Sequence, residues 1–444
     1  MNPPSRIQRP RARSDADARS AALARRFANV RARSAALAAP LSEADCQAQS
    51  MPDASPVKWH LAHTTWFFET FVLERFERDF APFHPAFKVL FNSYYQAVGA
   101  QHPRPQRGLV TRPGLAQVLD YRRAVDERVQ ALLAQPGVPD EMLELIELGA
   151  QHEQQHQELI VTDLKHLLSC NPLDPIYQST WPLATVSVAP HGWVGFDGGL
   201  VTVGHEEGSG FTFDNEGPEH RVWLEPYALG DRLVTHGEWL AFIDDDGYRD
   251  ARWWLSAGWE WVNEQAIEAP LYWRRIEDAW HAFTLHGLVP IDAHTPIVHV
   301  SHYEADAYAR WTAARTGEPV RLPTEFEWEH AARLHEARTR PQGNFVESKA
   351  LHPMPVAKRH AGVPMQLFGD AWEWTSSSYA PYPGFRTEEG AVGEYNGKFM
   401  ANQYVLRGGS CATPADHVRA SYRNFFPSTA RWQFSGVRLA RDGS

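Results

Sequence analysis

The chain has 444 residues, of which 43% are hydrophobic and 22% charged, an ordinary globular composition that predicts about two to four domains and argues against disorder throughout. Its formal net charge of -11 argues against a general nucleic-acid binder, because binding to phosphates requires a basic surface. Cys46, Cys170 and Cys411 are too few and too scattered for a disulfide framework or a cysteine zinc site, which fits a reducing cytoplasm.

The chain shows neither a membrane-spanning pattern nor a secretory signal. No apolar run reaches the roughly 18 residues that a membrane span requires. The N-terminus is basic but has no apolar core behind it, as a signal peptide would have. We therefore expect a cytoplasmic protein that acts without a membrane and without nucleic acid.

The first part of the chain predicts a helical bundle. An Ala/Arg-rich composition favours the first helix, and Ser55 followed by Pro56 predicts an N-cap and a first helical residue for the second. Apolar residues at helical spacing mark the others. The four helices are predicted over residues 15–39, 57–76, 115–133 and 140–168. Four helices in about 170 residues are typical of an antiparallel bundle.

The composition changes after Pro172. Gly, Trp and Pro interrupt short segments, and the clearest periodic stretch is a helix over 303–316. This pattern predicts one irregular α+β domain of about 250 residues with long loops, which are often functional. We therefore expect an α+β chain of two domains, residues 15–175 and 176–444.

The strongest chemical signal is His152-Glu-Gln-Gln-His156 in the fourth helix. Two histidines four residues apart lie on one helix face, so both imidazoles can reach one ion. Imidazole suits Fe(II), Zn, Cu or Ni. One helix cannot complete the coordination, and the second helix offers His60 and His63 as third ligand. A three-histidine site leaves positions open for substrate and oxygen, as a catalytic metal requires.

Two other interpretations of the histidine pair stay open on the spacing alone. Histidines in a helix can be solvated or hydrogen-bonded within the core. The five letters also match H-E-x-x-H, the pattern of zinc metalloproteases, in which Glu153 would be the general base. Against a protease, nothing after Glu158 is convincingly placed as the downstream zinc ligand that such enzymes usually have.

Several longer segments carry a resemblance that spans about residues 20–442. They include Phe91-Asn-Ser-Tyr-Tyr-Gln-Ala-Val-Gly99 and Gly369-Asp-Ala-Trp-Glu-Trp-Thr375. The others are residues 55–69, 102–108, 152–158, 319–329, 406–410 and 434–439. Together they resemble the ergothioneine-type sulfoxide synthases, non-haem iron enzymes. The resemblance implies an N-terminal DinB-like four-helix bundle and an irregular C-terminal domain like formylglycine-generating enzyme, of C-type-lectin-like type.

The resemblance also implies a metal and a first substrate. His63, His152 and His156 would hold Fe(II), which favours His63 over His60 and makes the protease interpretation improbable. Gln155 matches a position that contacts the imidazole of hercynine, the trimethylated histidine betaine. Asn424 matches a second contact, to the carboxylate or betaine end of hercynine.

Further site residues follow from the same resemblance. Tyr94 and Tyr95 would lie near the iron, where a phenol can donate a proton and an electron or orient oxygen. Arg104 and Arg107 are candidates for gripping a substrate carboxylate, because the planar guanidinium binds it bidentately. The alternatives are aromatic packing for the tyrosines and surface solvation for the arginines.

The second substrate is predicted to be a small thiol. Family members that use γ-glutamylcysteine carry an Asp and an Arg, four apart, after the matching Asn, whereas Phe426 and Ala430 stand there in this chain, beside Phe425. Cysteine is therefore expected, together with O2 and hercynine, and the product is a sulfoxide. Two alternatives stay open: the selenoneine synthases, which join a selenosugar to hercynine, and a non-catalytic metal-binding protein of the same architecture.

Formylglycine-generating activity is not expected of the second domain. That activity needs a cysteine pair that binds copper, and Cys411 is the lone cysteine in the relevant region. We expect Cys411 to be a small buried residue. The segment Trp372 to Trp374 is expected to belong to the core.

Overall fold

The computed structural model describes residues 11–93, 95, 97–179, 186–356, 359–387 and 396–443. The chain divides into two compact units, Met1–Asp163 and Leu164–Ser444. The first is helical and the second mixes helices with sheets, so the predicted α+β class is confirmed. The domain limits 15–175 and 176–444 stay a prediction.

The helices that begin in the first unit include all four that the sequence predicts. They are α1 (Arg11–Ala38), α2 (Glu43–Gln47), α3 (Val57–Phe68), α4 (Glu74–Phe76), α5 (Phe87–Leu90), α6 (Leu115–Leu133) and α7 (Asp140–Ser169). Apolar side chains of α3, α6 and α7 form the core, among them Leu61, Val125 and Ile146, which are fully buried. Burial of such a side chain contributes about 1.5–3 kcal/mol. A Cβ at Gly149 would lie 2.5 Å from a ring carbon of Phe68, so α7 approaches α3 closely at this point.

The helix predicted over 57–76 is present, but it is not α-helical throughout. A π-helical turn, Glu69–Leu73, separates α3 from α4, and the Glu69 side chain is buried there. Its carboxylate accepts hydrogen bonds from the Tyr121 hydroxyl at 2.6 Å and the Phe83 backbone N–H at 2.7 Å. A π turn holds one residue more than an α turn, and apolar spacing over two turns does not register that difference.

The predicted N-cap at Ser55 was also wrong. Pro56 is the N-cap of α3, with no side-chain cap. Ser55 has other partners: its backbone N–H donates to Asp163 at 2.8 Å, and its hydroxyl accepts a hydrogen bond from Arg107 at 2.8 Å. Tertiary hydrogen bonds thus replace the local cap that the Ser-Pro pair suggests.

In its described residues, the second unit contains short strands and four α-helices that begin within it. The helices are α8 (His236–Asp244), α9 (Ser256–Glu264), α10 (His302–Thr316) and α11 (Glu325–Thr339). The strands are β1 (Trp193–Phe196), β2 (Gly199–Val203), β3 (His220–Leu224), β4 (Tyr227–Gly230), β5 (Trp273–Ile276), β6 (Ala279–Thr284), β7 (Gly287–Pro290), β8 (Val320–Arg321), β9 (Trp372–Ser378), β10 (Gln403–Arg407), β11 (Asn424–Pro427), β12 (Ser435–Gly436) and β13 (Ala440–Asp442). Helix α10 confirms the helix predicted over 303–316. It begins with a capping box of Ser301 and Glu304 and ends at Gly317, whose φ of 72° is left-handed.

The strands of the second unit form small sheets. Among the residues that the structure describes, two sheets have four strands, in the orders β1-β4-β13-β8 and β11-β10-β9-β12, and the others are the pair β2-β3 and the sheet β5-β6-β7. Trp372, Trp374 and Cys411 are fully buried, which confirms the expected core packing. Glu373 lies between the two tryptophans in sequence and pairs with Arg438 at 2.7 Å.

Candidate metal centre

Three histidines of the first unit converge on one point. His152 and His156 lie one turn apart on α7, and His63 lies on α3. One ring nitrogen of each lies within 4.8 Å of the other two, and all three residues are buried. Two nitrogens bound to one ion at about 2.1 Å lie at most about 4.2 Å apart. A slight contraction would therefore let the three imidazoles share a metal ion.

The surroundings of His63 fix its ring and its tautomer. Its Nδ1 lies 2.6 Å from the backbone carbonyl oxygen of Phe91. A carbonyl only accepts, so Nδ1 carries the hydrogen and Nε2 keeps its lone pair. The ring is stacked between Trp59 and Trp66, with centroids at 4.6 and 5.5 Å. Within the described part of the chain, the buried Nε2 has no hydrogen-bond partner, so it is available to a metal.

Burial keeps the three imidazoles neutral. Desolvation lowers the pKa of His152 to about 3. The pKa values of His63 and His156 also lie well below the usual range, because of burial first and the neighbouring imidazoles second. A neutral imidazole is the form that binds a metal ion. The donor set therefore fits a metal at neutral pH without first losing protons.

Glu153 does not face this site as a free base would. Its carboxylate is fully buried and pairs with Arg31 and Arg122, each at 2.8 Å. Burial alone would raise the pKa of Glu153, but the two arginines lower it to about 2. So strongly stabilised a carboxylate is a poor general base, which counts against the metalloprotease interpretation. The two arginines come from α1 and α6, so the spacing around Glu153 gave no sign of them.

His60, the other candidate for third ligand, lies behind His156. Its Nδ1 lies 2.8 Å from His156 Nδ1, and its Nε2 lies 3.1 Å from an oxygen of Asp163. Both ring nitrogens of His60 are engaged, which favours His63 as the third member of the set. Sequence reasoning missed Asp163, although a spacing of seven residues after His156 places it on the same face of α7.

The two candidate arginines differ in their surroundings. Arg107 is buried, donates to the hydroxyls of Ser55 and Ser93 at 2.8 and 3.0 Å, and lies 3.4 Å from the Trp59 ring centroid. Its charge also contributes to the low pKa values of His63 and His156. Arg104 is exposed and donates to the backbone oxygen of Asp53. Surface solvation thus suits Arg104 and not Arg107.

Of the two candidate tyrosines, Tyr94 lies outside the described residues. Tyr95 is buried, and its backbone N–H donates to the side chain of Asn92 at 3.3 Å. Its ring packs on Trp66 and Phe71, with centroids at 5.5 and 5.4 Å. Trp66 is also a stacking partner of His63, so one indole separates Tyr95 from a candidate ligand. A catalytic role for either tyrosine stays a prediction.

The predicted substrate contacts lie on different elements. Gln155 is half-buried on α7, between the two histidines of that helix. Asn424 begins β11, and its side-chain oxygen accepts from the N–H of Phe425 at 2.9 Å. The ring of Phe425 is stacked on Tyr379 at 4.0 Å, and Phe426 packs edge-on against Trp432. Contacts of Gln155, Asn424, Phe425 and Phe426 with a substrate stay predictions.

None of the described helices has the length and apolar composition of a membrane-crossing segment. The sequence matches the DinB superfamily over residues 26–160 and the sulfatase-modifying factor enzyme 1-like domain over residues 184–443.

Three relatives with curated names extend these matches. A hercynine oxygenase of Mycolicibacterium thermoresistibile is 33% identical to this chain, and the alignment covers 95% of this chain and 95% of that relative's length. A hercynine oxygenase of Mycobacterium tuberculosis is also 33% identical, and the alignment covers 95% of this chain and 98% of that relative's length. Ergothioneine biosynthesis protein 1 of Schizosaccharomyces pombe is 26% identical over an alignment that covers 52% of this chain and 28% of that relative's length. The chain therefore belongs to the ergothioneine-type sulfoxide synthase family, in which a DinB-like helical domain is followed by a domain like formylglycine-generating enzyme.

Proposed function

We propose that this chain is an Fe(II)- and O2-dependent enzyme that forms a carbon–sulfur bond at imidazole C2 of hercynine, with cysteine as the sulfur donor. The observation that carries the proposal is the convergence of His63, His152 and His156, all buried and neutral, in a chain 33% identical over most of its length to a hercynine oxygenase. Three neutral imidazoles leave coordination positions open to substrates.

The reaction balances with one molecule of O2. The C2–H bond of hercynine and the S–H bond of cysteine are lost, and a C–S bond forms. One oxygen atom enters the product as the sulfoxide and the other leaves in water. Bound Fe(II) would supply the one-electron chemistry that allows O2 to react.

The protein's own residues would bind and orient the substrates. Gln155 follows His152 by three residues on α7 and could donate a hydrogen bond to the imidazole of hercynine. Asn424 would contact its carboxylate or betaine end. Tyr95, or Tyr94, would hold and transfer a proton and an electron during bond formation. These roles rest on the family resemblance together with the burial of Tyr95 and the half-buried position of Gln155.

Cysteine is preferred over γ-glutamylcysteine because of two apolar side chains. Phe426 and Ala430 stand where relatives that use the dipeptide carry Asp and Arg, and Ala430 is buried. A charged dipeptide would find no ion pair at these positions. Cysteine carries a single carboxylate, and the buried guanidinium of Arg107 would bind it.

The test is product identification with three donors. The protein is loaded anaerobically with Fe(II), then given hercynine, O2 and either cysteine, γ-glutamylcysteine or a selenosugar. We expect a product with cysteine that has one oxygen more and two hydrogens fewer than the summed substrates, by mass spectrometry. The His63→Ala variant should form none. If only the selenosugar gives a product, the donor is the selenosugar and not cysteine. Absence of O2 uptake with every donor would contradict the enzymatic function.

A further inference from the structure

A chain of three buried side chains lies directly behind the metal centre. Asp163 contacts His60, and His60 contacts His156, at 3.1 and 2.8 Å. All three residues are buried and belong to the first unit. None of the functions described above uses His60 or Asp163.

The hydrogen-bond directions along this chain follow from Asp163. Its Oδ2 accepts the backbone N–H of Ser55 at 2.8 Å and also faces His60 Nε2. A carboxylate only accepts hydrogen bonds, so Nε2 of His60 carries the hydrogen, and Nδ1 of the neutral ring is an acceptor. The nitrogen that faces it, His156 Nδ1, must then be the donor. This leaves the lone pair of His156 on Nε2.

We propose that His60 and Asp163 are positioning residues that hold His156 in the tautomer with a bare Nε2 and thereby strengthen metal binding. Histidine ligands commonly donate their second ring N–H to a carboxylate, a carbonyl or water, which fixes the ring and makes it more basic. Here a second imidazole lies between the ligand and the carboxylate. The inference rests on the metal site of the proposed function and not on the identity of the substrates.

Helix geometry supports the assignment independently of the hydrogen bonds. Asp163 follows His156 by seven residues, two turns of α7, and His60 precedes His63 by three residues, about one turn of α3. Each of the two helices thus carries a ligand together with a member of the chain behind it. His63 has the simpler arrangement, because the carbonyl of Phe91 accepts its Nδ1–H.

Metal affinity of three variants tests the proposal. The full-length protein and its variants are titrated with Fe(II) anaerobically and with Co(II). His60→Ala should lower the affinity by about 10–100-fold. His60→Asn should restore most of it, because asparagine Oδ1 stands one bond from Cγ, as histidine Nδ1 does, and can accept the His156 hydrogen. Asp163→Asn should lower the affinity by about tenfold in the otherwise unchanged protein.

A double substitution separates this role from a merely structural one. Asparagine at position 60 cannot reach Asp163 as the longer imidazole does, so Asp163→Asn should have no further effect in the His60→Asn background. The visible absorption of bound Co(II), which reports ligand geometry, should change in His60→Ala and return in His60→Asn. Glu147→Gln is the matched control. Glu147 is a half-buried carboxylate of α7 that pairs with Arg26, and this variant should bind metal with the affinity of the unaltered protein.

Three results decide the outcome, with melting of each metal-free variant recorded as a check of folding. Equal affinities of His60→Ala and His60→Asn would overturn the proposal. So would an Asp163→Asn effect of the same size in both backgrounds. Absence of metal binding in the unaltered protein would instead overturn the metal centre itself, and with it the proposed function.

Discussion

Arg438 in the second unit and His63 in the first are both buried, and they differ in whether every side-chain nitrogen has a hydrogen-bond partner among the described residues. In the second unit, Arg438 donates from all three guanidinium nitrogens, to Glu373 and to the carbonyls of Gly230 and Met365. The indole N–H of Trp328 also donates a hydrogen bond to the Glu373 carboxylate, at 2.7 Å. In the first unit, Nε2 of His63 is buried without a hydrogen bond to any described residue.

This difference separates a core ion pair from a binding site. Buried polar atoms in folded proteins are nearly always hydrogen-bonded, so an orphaned nitrogen needs an explanation. The neighbouring ion-pair cluster of Arg31, Arg122 and Glu153 shows that the bundle can satisfy buried charges where they are structural. The orphaned nitrogen of His63 lies beside His152 and His156, and the metal ion proposed above would give it a partner.

The largest effect on stability is expected from breaking the satisfied cluster. Glu373→Gln would leave the charge of Arg438 buried without an anion, which costs about 3–5 kcal/mol of unfolding free energy. Denaturant unfolding followed by circular dichroism measures it. Glu268→Gln, which breaks an exposed pair with Arg249, should cost less than about 1 kcal/mol. Equal losses of unfolding free energy in the two variants would contradict a stabilising role for the buried ion pair of Glu373 and Arg438.

The stabilisation from the ion-pair cluster of Arg31, Arg122 and Glu153 should decrease in acid. The pKa of Glu153 is about 2 in the folded chain against 4.5 for an ordinary glutamate. Its depressed pKa contributes stability above pH 4.5 that is lost as the pH falls toward 2, of the order of 3 kcal/mol. The difference in unfolding free energy between the metal-free protein and Glu153→Gln should therefore shrink over this range. A constant difference would show that the carboxylate is not stabilised by Arg31 and Arg122.

A smaller effect should separate the two candidate arginines. Arg107 is buried beside the histidines. If it binds the carboxylate of cysteine as proposed, loss of that charge-assisted hydrogen bond should cost about 1.5 kcal/mol, which is about tenfold in the KM for cysteine. Arg104 is exposed, and solvent weakens its interactions. Arg107→Met should thus raise this KM about tenfold, and Arg104→Met much less. A larger effect of Arg104→Met would reverse the assignment.

Local patterns predicted the bundle better than the second unit. The apolar spacing located α6 and α7, and the four-residue spacing located His152 and His156. His63 was preferred over His60 only through the family resemblance, since a spacing of three residues on α3 serves either. The strands of the second unit have two to seven residues, too few for a clear alternation.

Contacts between distant segments explain what local patterns missed. Glu153 obtains its two arginines from helices far away in sequence. The pairing of His60 with Asp163 depends on how α3 lies against α7. Only the packed bundle brings these groups together, so neither pairing could be read from spacing within one helix.

The most direct test of the central claim is the iron content of the protein. After anaerobic loading with Fe(II) and removal of unbound metal, elemental analysis should find one iron per chain. The His63→Ala, His152→Ala and His156→Ala variants should each retain less than about one hundredth of the affinity, since even residues behind the ligands contribute 10–100-fold. An iron-free unaltered protein, or full iron binding by any of the three variants, would contradict a shared three-histidine centre.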